Sequence, residues 1–250
     1  MPTPKTNKPK TDRADALLTT RGLCDSREQA KRLILAGEVR SGERTIDKPS
    51  TKLAVDAPLA VRERPRYVGR GGFKLEGALD AFGIDPHGWV CLDVGASTGG
   101  FTDCLLQRGA LRVHAVDVGT NQLVWKLRND PRVIVREQFN ARHMVPDDLG
   151  EKVRLAVMDL SFISLTKVLP AVFAVLDEGG SVVCLIKPQF ELRREDVGRG
   201  GVVRDAGLHQ QAIDKIRHFV TAGQGRDWRG VIPSPITGTD GNQEFLAWLG

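Results

Sequence analysis

From residue 69 onward the chain alternates short apolar runs with amphipathic stretches. VCLDVG (90–95), VHAVDV (113–118), RVIVRE (132–137), VRLAVMD (153–159) and SVVCLIK (181–187) are near-continuous apolar runs, the pattern of strands buried on both faces. Helical periodicity predicts helices over 99–108, 121–128, 165–176 and 206–222. WRGVIPSPI and GNQEFLAWL close the chain as two further strand candidates, and as neighbours they are expected to pair as an antiparallel hairpin. The alternation predicts an α/β domain over 69–250, with a mostly parallel sheet covered by helices on both faces.

Residues 12–61 read as a separate compact unit. A short helix starts after Asp12, the expected cap, and stops at Gly22. A second, SREQAKRLILAG, has Ser26 as cap, Gln29 completing a capping box and Gly37 as the stop. Its inner stripe is Ala30, Leu33 and Ile34, while Arg27, Lys31 and Arg32 face outward. Three short strand-like pieces follow: EVRSG, RTI and LAVRE. Residues 1–11 read as a disordered basic tail, and 62–68, with Pro65, as a short stiff linker.

Of 250 residues, 41% are hydrophobic and 27% charged, ordinary values for a globular protein. The net charge of +5 is unevenly placed: residues 1–74 carry 17 Lys and Arg against 9 Asp and Glu, and the remainder is slightly acidic. A basic first third on a near-neutral body suits nucleic acid, with a merely solvated basic face as the alternative. Cys24, Cys91, Cys104 and Cys184 are scattered and form no CxxC pair, which argues against a disulfide scaffold or a zinc site and for a reducing, cytoplasmic setting. No apolar run reaches transmembrane length, and the basic N-terminus lacks the apolar core of a secretory signal.

Chemistry concentrates where strands end. Asp93-Val94-Gly95-Ala96-Ser97-Thr98-Gly99-Gly100-Phe101 joins the first strand of the sheet to its first helix. Small residues there let a ligand approach the backbone, and the helix N-terminus offers free N–H groups. A dinucleotide fingerprint would need glycine at Ser97, so an NAD-dependent oxidoreductase is disfavoured. Asp117 ends the second strand 22 residues after Gly95, the place of a carboxylate that grips a ribose diol. Asp159 and Lys187 end the fourth and fifth strands, where parallel sheets carry ligands. A lysine that closes the run VVCLI would be partly desolvated, which favours its neutral form and suits proton handling. Lys74 and Glu244 would not be chosen by spacing; Glu244 alone reads as a charge guarding an edge strand.

Residues 12–61 resemble the small RNA-binding domain first recognised in ribosomal small-subunit protein four, through Arg13 and the leucines after it, Gly22, Ser26-Arg27, Ala30, Ile34, Gly37-Glu38-Val39 and Lys48-Pro49. The resemblance implies that Arg13, Arg27, Lys31 and Arg32 grip structured RNA. GRGGFKL, CLDVGASTGGFTDCLLQRGA, AVDVG, MDLSFISL, LIKPQFE and NQEFLAWL, in that order, resemble the TlyA family over nearly the whole chain. The resemblance implies a Rossmann-like, FtsJ-type domain that moves a methyl group from S-adenosylmethionine to a ribose 2′-OH of ribosomal RNA: a cytidine in 23S rRNA and, for longer members, also one in 16S rRNA. It implies a catalytic set of Lys74, Asp159, Lys187 and Glu244. It also implies a donor site made by Gly95, Ala96, Ser97, Gly99, Gly100 and Phe101, with Asp117 on the ribose, Asn140 beside the adenine and Phe162 lining the pocket. Family members carry a Trp-containing tetrapeptide in the linker, where this chain has PRYV with Tyr67.

The expected protein is therefore a cytoplasmic, monomeric enzyme that acts on ribosomal subunits without metal or membrane. A non-catalytic rRNA-binding assembly factor would need the basic unit but not the Lys/Asp/Lys/Glu set. A membrane-lysing haemolysin would need an apolar or amphipathic insertion segment, and the sequence offers none.

Overall fold

The structure is a computed structural model and describes residues 10–62, 65–198, 200–238 and 240–250. The chain divides into two compact units, with the division after Pro65.

In the small unit, strand β1 (Thr11–Arg13) leads into helix α1 (Ala14–Thr20), followed by α2 (Arg27–Leu35), β2 (Val39–Ser41), β3 (Arg44–Thr45), β4 (Lys52–Ala54) and β5 (Ala60–Val61). β1 pairs antiparallel with β4, and β2 pairs with both β3 and β5. Most of the expected tail, residues 1–9, lies outside the described residues, and its last residue, Thr11, is in a strand. Asp12 is not the helix cap: it sits opposite Leu53 in the β1–β4 ladder, and α1 begins two residues later. Ser26 does cap α2, its Oγ accepting from Gln29 N at 3.2 Å. The return bond from Gln29 goes one residue earlier than expected, Oε1 accepting from Asp25 N at 2.8 Å. Ala30, Leu33 and Ile34 are buried against Leu18, Val39 and Ile46, which forms this unit's core.

The large unit opens with α3 (Gly71–Phe82), then β6 (Val90–Val94), α4 (Gly100–Gln107), β7 (Arg112–Val116), α5 (Trp125–Arg128), β8 (Val133–Arg136), α6 (Pro146–Leu149), β9 (Val153–Met158), α7 (Leu169–Val175), β10 (Leu176–Ile186), α8 (Pro188–Glu191), α9 (Ala206–His218), β11 (Trp228–Pro233) and β12 (Phe245–Leu249). The sheet order is β11-β12-β10-β9-β6-β7-β8. β8, β7, β6, β9 and β10 run parallel, and β12 pairs antiparallel with both β10 and β11. The mostly parallel sheet and the closing hairpin match the expectation from sequence. Apolar cores cover the sheet, one built on Leu92, Ala156, Met158 and Ile186, the other on Cys91, Leu155, Val157 and Leu185, residues that alternate along the strands.

Two expected helices differ from those observed, and a third, 206–222, is filled with a change of pitch near its end. The stretch 121–128 keeps only α5, because Asn121 is in the left-handed region at φ 54° and cannot continue a helix. The stretch 165–176 splits into a 3₁₀ turn over Leu165–Lys167 and then α7. Ser164 caps that turn through Thr166 N, and Pro170 lacks the N–H a continuous helix would use. The last helix ends at His218 and runs on as a wider turn over Phe219–Gly223.

The segment expected to be linker is partly structural. Tyr67 is buried, with its hydroxyl donating to Glu76 Oε1 at 3.1 Å and its ring 5.2 Å from that of Phe73. Val68 N donates to the buried Asp103 Oδ2 at 2.9 Å. Gly72 has to be glycine, since a Cβ there would fall 2.2 Å from the Tyr67 ring. Glu63 and Arg64 of the same segment lie outside the described residues.

Candidate active site

In the large sheet, β6 has β7 on one side and β9 on the other, so chain connections leave it in opposite directions. At such a point the strand ends open into a crevice, where ligands bind in sheets of this kind. The loop after β6 starts at Gly95, at φ 83°. A Cβ there would lie 2.6 Å from the Asp159 carbonyl oxygen, so glycine is what lets the β6 and β9 ends converge.

Lys74, Asp159, Lys187 and Glu244 come together around one cleft of about 240 Å3, which Gly95, Ala96, Ser97, Gly100 and Phe101 also line. They form two ion pairs. Lys187 Nζ lies 2.7 Å from Asp159 Oδ1, and Lys74 Nζ lies 2.5 Å from Glu244 Oε2. Lys187 follows β10 directly, and Pro188 behind it starts α8. Lys74 is held in the first turn of α3, and Glu244 just before β12. Glu244 is no edge-strand guard: it is buried against an equally buried lysine.

A second cleft, of about 340 Å3, shares Gly95, Ser97, Asp159 and Ser161 with the first. Its walls are largely apolar, with Val116, Phe139, Leu160 and Ile163. Asp117 lines it from the end of β7; Oδ2 accepts from Ser97 N at 2.8 Å and Oδ1 from Gly119 N at 2.7 Å. Asn140 lines it too, with Oδ1 capping its own turn through Arg142 N at 3.1 Å. Phe162 stands at its mouth, 91% exposed, in the left-handed region at φ 65°, its ring 5.1 Å from that of Phe190. Gly99 lines neither cleft; its open side faces Leu123 and Leu127.

The joined clefts fit S-adenosylmethionine on their own chemistry. The apolar slot is suited to a flat heteroaromatic ring, the Asp117 carboxylate on its wall is a candidate acceptor for a diol, and the loop beside it is built of small residues. Among the described residues no group of three or more His, Cys, Asp or Glu side chains is disposed to hold a metal ion. No described helix is long and apolar enough to cross a membrane.

Asp93 received no role from sequence beyond its place in the glycine motif. It is fully buried beneath the loop, with Oδ2 accepting from Thr102 Oγ1 at 2.6 Å and Oδ1 without a partner. Burial, with smaller contributions from the Asp159 and Asp117 charges, pushes its carboxyl up to about 7, against an ordinary value near 3.8. Arg70, also unassigned from sequence, lines the first cleft and donates to Thr237 O at 2.7 Å. Its trace in the sequence is its place in the GRGGFKL motif.

In the small unit, two of the four expected RNA contacts are tied to one buried carboxylate. Arg13 makes a two-pronged contact with Asp15, at 2.9 and 2.8 Å, and Arg27 lies 3.5 Å from it. The Arg13 hydrogen bonds hold the Asp15 carboxyl below the usual carboxylate range. Lys31 pairs with Glu28 at 2.6 Å on the exposed face of α2, and Arg32 is exposed.

The FtsJ-like methyltransferase family matches residues 67–250, and the S4 domain matches residues 12–57. The 16S/23S rRNA (cytidine-2′-O)-methyltransferase TlyA of Mycobacterium tuberculosis is 48% identical, with 95% of this chain and 89% of that protein covered. Hemolysin A of Brachyspira hyodysenteriae is 42% identical, with 94% and 98% covered. A Streptococcus thermophilus structure that carries the name hemolysin superposes with a TM-score of 0.72 at 46% identity, covering 97% of this chain and 89% of that one.

Proposed function

The chain belongs to the TlyA family, an S4 domain joined to an FtsJ-like methyltransferase, and on that footing we propose that it methylates the ribose 2′-OH of a cytidine in 23S rRNA, with 16S rRNA a second candidate substrate. The observation that carries this is the convergence of two Lys–carboxylate pairs on one cleft beside the glycine loop. Gly95, Ala96, Ser97, Gly100 and Phe101 are the candidate donor loop, with Gly99 supporting it from behind. Asp117 would take the donor's ribose, Asn140 and Phe162 its adenine side. When bound, S-adenosylmethionine supplies a methyl group on a good leaving sulfur.

The rest of the work falls to this chain's side chains. A ribose hydroxyl is a weak nucleophile until its proton is shared with a base. Lys187 Nζ is the group to take or polarise that proton, and Asp159, 2.7 Å away, is its ion-pair partner. Lys74 and Glu244, paired and buried, form part of the cleft wall and hold the target nucleotide in place. The hydroxyl oxygen and the methyl carbon have to lie in line, about 3 Å apart, so positioning supplies much of the rate. A nucleotide in structured RNA reaches such a cleft by turning out of its stack. The exposed basic face of α2, with Lys31 and Arg32, supplies phosphate affinity; Arg13 and Arg27 contribute the charge that their sharing of Asp15 leaves over. A monomer in the cytoplasm, acting on assembled subunits, is the setting that fits this role.

The test is incubation of the full chain with labelled S-adenosylmethionine and unmodified ribosomal subunits, with the modified nucleotides then mapped. A cytidine 2′-O-methyl in 23S rRNA is expected. Tight rRNA binding with no methyl transfer would contradict the proposal and favour an assembly factor.

A further inference from the structure

The Lys187 side chain has a second contact that the catalytic set does not include: Nζ donates to Ser161 Oγ at 3.0 Å. Ser161 lies two residues beyond Asp159 on the loop after β9, and it lines both clefts, at their junction. A lysine nitrogen is tetrahedral. Its own stem occupies one corner and Ser161 Oγ faces another at 3.0 Å, while Asp159 Oδ1 lies 2.7 Å away as an ion-pair partner outside hydrogen-bond geometry. Of the corners left over, one holds the lone pair that takes the target proton when the amine is neutral.

Resting on the reading of Lys187 given above, we propose that Ser161 is a positioning residue for methyl transfer: its hydrogen bond, beside the Asp159 ion pair, sets which way Lys187 Nζ presents its lone pair to the target hydroxyl. With the Asp159 ion pair alone, which fixes a distance and no direction, the flexible lysine stem could keep its contact with the lone pair aimed elsewhere. The second contact removes that freedom, the kind of preorganisation on which a proton transfer depends.

The protein also fixes the distance between the two partners. Glu191, at the end of α8, is buried, and its carboxylate accepts from Ser164 Oγ at 2.5 Å and from Leu165 N at 2.7 Å, both on the Ser161 loop. Lys215 of α9 completes the knot, Nζ lying 3.0 Å from Glu191 Oε2. α8 begins immediately after Lys187, so the lysine and the serine loop are fastened to the same buried carboxylate. That holds the backbone on either side of the 3.0 Å contact, although Ser161 itself is exposed.

Ser161→Ala and Ser161→Thr, made in the full chain, test this in single-turnover methyl transfer to ribosomal subunits, with Lys187→Ala run alongside. Ser161→Ala is expected to slow transfer at saturating S-adenosylmethionine by about tenfold, the worth of one lost hydrogen bond in the transition state, with the donor's half-saturation changed less than about twofold. Ser161→Thr keeps the hydroxyl and is expected to restore most of the rate, and thermal midpoints stay level across the series. A normal rate for Ser161→Ala beside an inactive Lys187→Ala would overturn the proposal. So would a raised half-saturation at unchanged maximal rate, which would make Ser161 a donor contact, or a Ser161→Thr variant as slow as Ser161→Ala. A normal rate for Lys187→Ala would instead overturn the reading of Lys187 on which the proposal rests.

Discussion

Lys74 Nζ and Glu244 Oε2 lie 2.5 Å apart although 170 positions separate the residues in the chain. Both are almost wholly shielded from water. A buried pair of this kind is weak evidence for stability, because desolvating two charges offsets much of their attraction. Removing one partner is a different matter, since the other charge is then left buried and unpaired.

Glu244→Ala is therefore expected to lower stability by about 3–5 kcal/mol and to abolish methyl transfer. The double variant Lys74→Met/Glu244→Leu is expected to regain most of the stability and none of the activity. Urea denaturation beside a transfer assay checks both. A double variant as unstable as Glu244→Ala would mean that the pair holds the fold and not only the site.

Asp117 bridges the donor loop and its own turn through Ser97 N and Gly119 N. Asp117→Ala removes the proposed ribose acceptor and loosens Ser97 together. Binding of S-adenosylmethionine is expected to weaken by about 1.5–3 kcal/mol, read by titration calorimetry. Unchanged affinity would remove Asp117 from the donor site.

Asp93 gives the fold a pH dependence of defined sign. Its carboxyl lies up at about 7 in the folded chain, against an ordinary value near 3.8. The folded state thus keeps a proton that the unfolded state releases, and this group's contribution to stability falls as pH rises from about 4 to about 7. Asp93→Asn is isosteric and does not titrate. Its stability relative to the parent is expected to rise across that window, by an amount on the order of 4 kcal/mol if the whole shift is expressed. Parallel slopes for the two proteins in urea denaturation at stepped pH would contradict this.

Strand ends were the most legible part of the sequence. Asp159 and Lys187 close apolar runs, which marks them as strand ends; that β9 and β10 are parallel neighbours is not dictated by the alternation, since β8 and β9 are also consecutive and do not pair. Lys74 and Glu244 were visible only through family motifs, because a pairing between the first turn of α3 and the residue before β12 leaves no local pattern. The helix boundaries that missed, at Asn121 and Pro170, were decided by a left-handed residue and a missing N–H that a hydrophobic period does not register. Tyr67 was read as linker because its neighbours are charged; its burial depends on Gly72 one helix turn away, a tertiary complement. Arg13 and Arg27 were read correctly as basic and near the surface, but the shared Asp15 that ties them down could not be seen from a charge count.

The central claim is that Lys187 handles the proton of the ribose hydroxyl. The most direct measurement is single-turnover transfer of labelled methyl to ribosomal subunits by Lys187→Ala and Lys187→Arg. Lys187→Ala is expected to slow transfer by about 10²–10⁴, with S-adenosylmethionine and RNA binding nearly intact. Lys187→Arg is expected to be no better, because a guanidinium stays protonated and cannot accept a proton. A near-normal rate for Lys187→Arg would contradict the account and leave Lys187 as a positive charge alone.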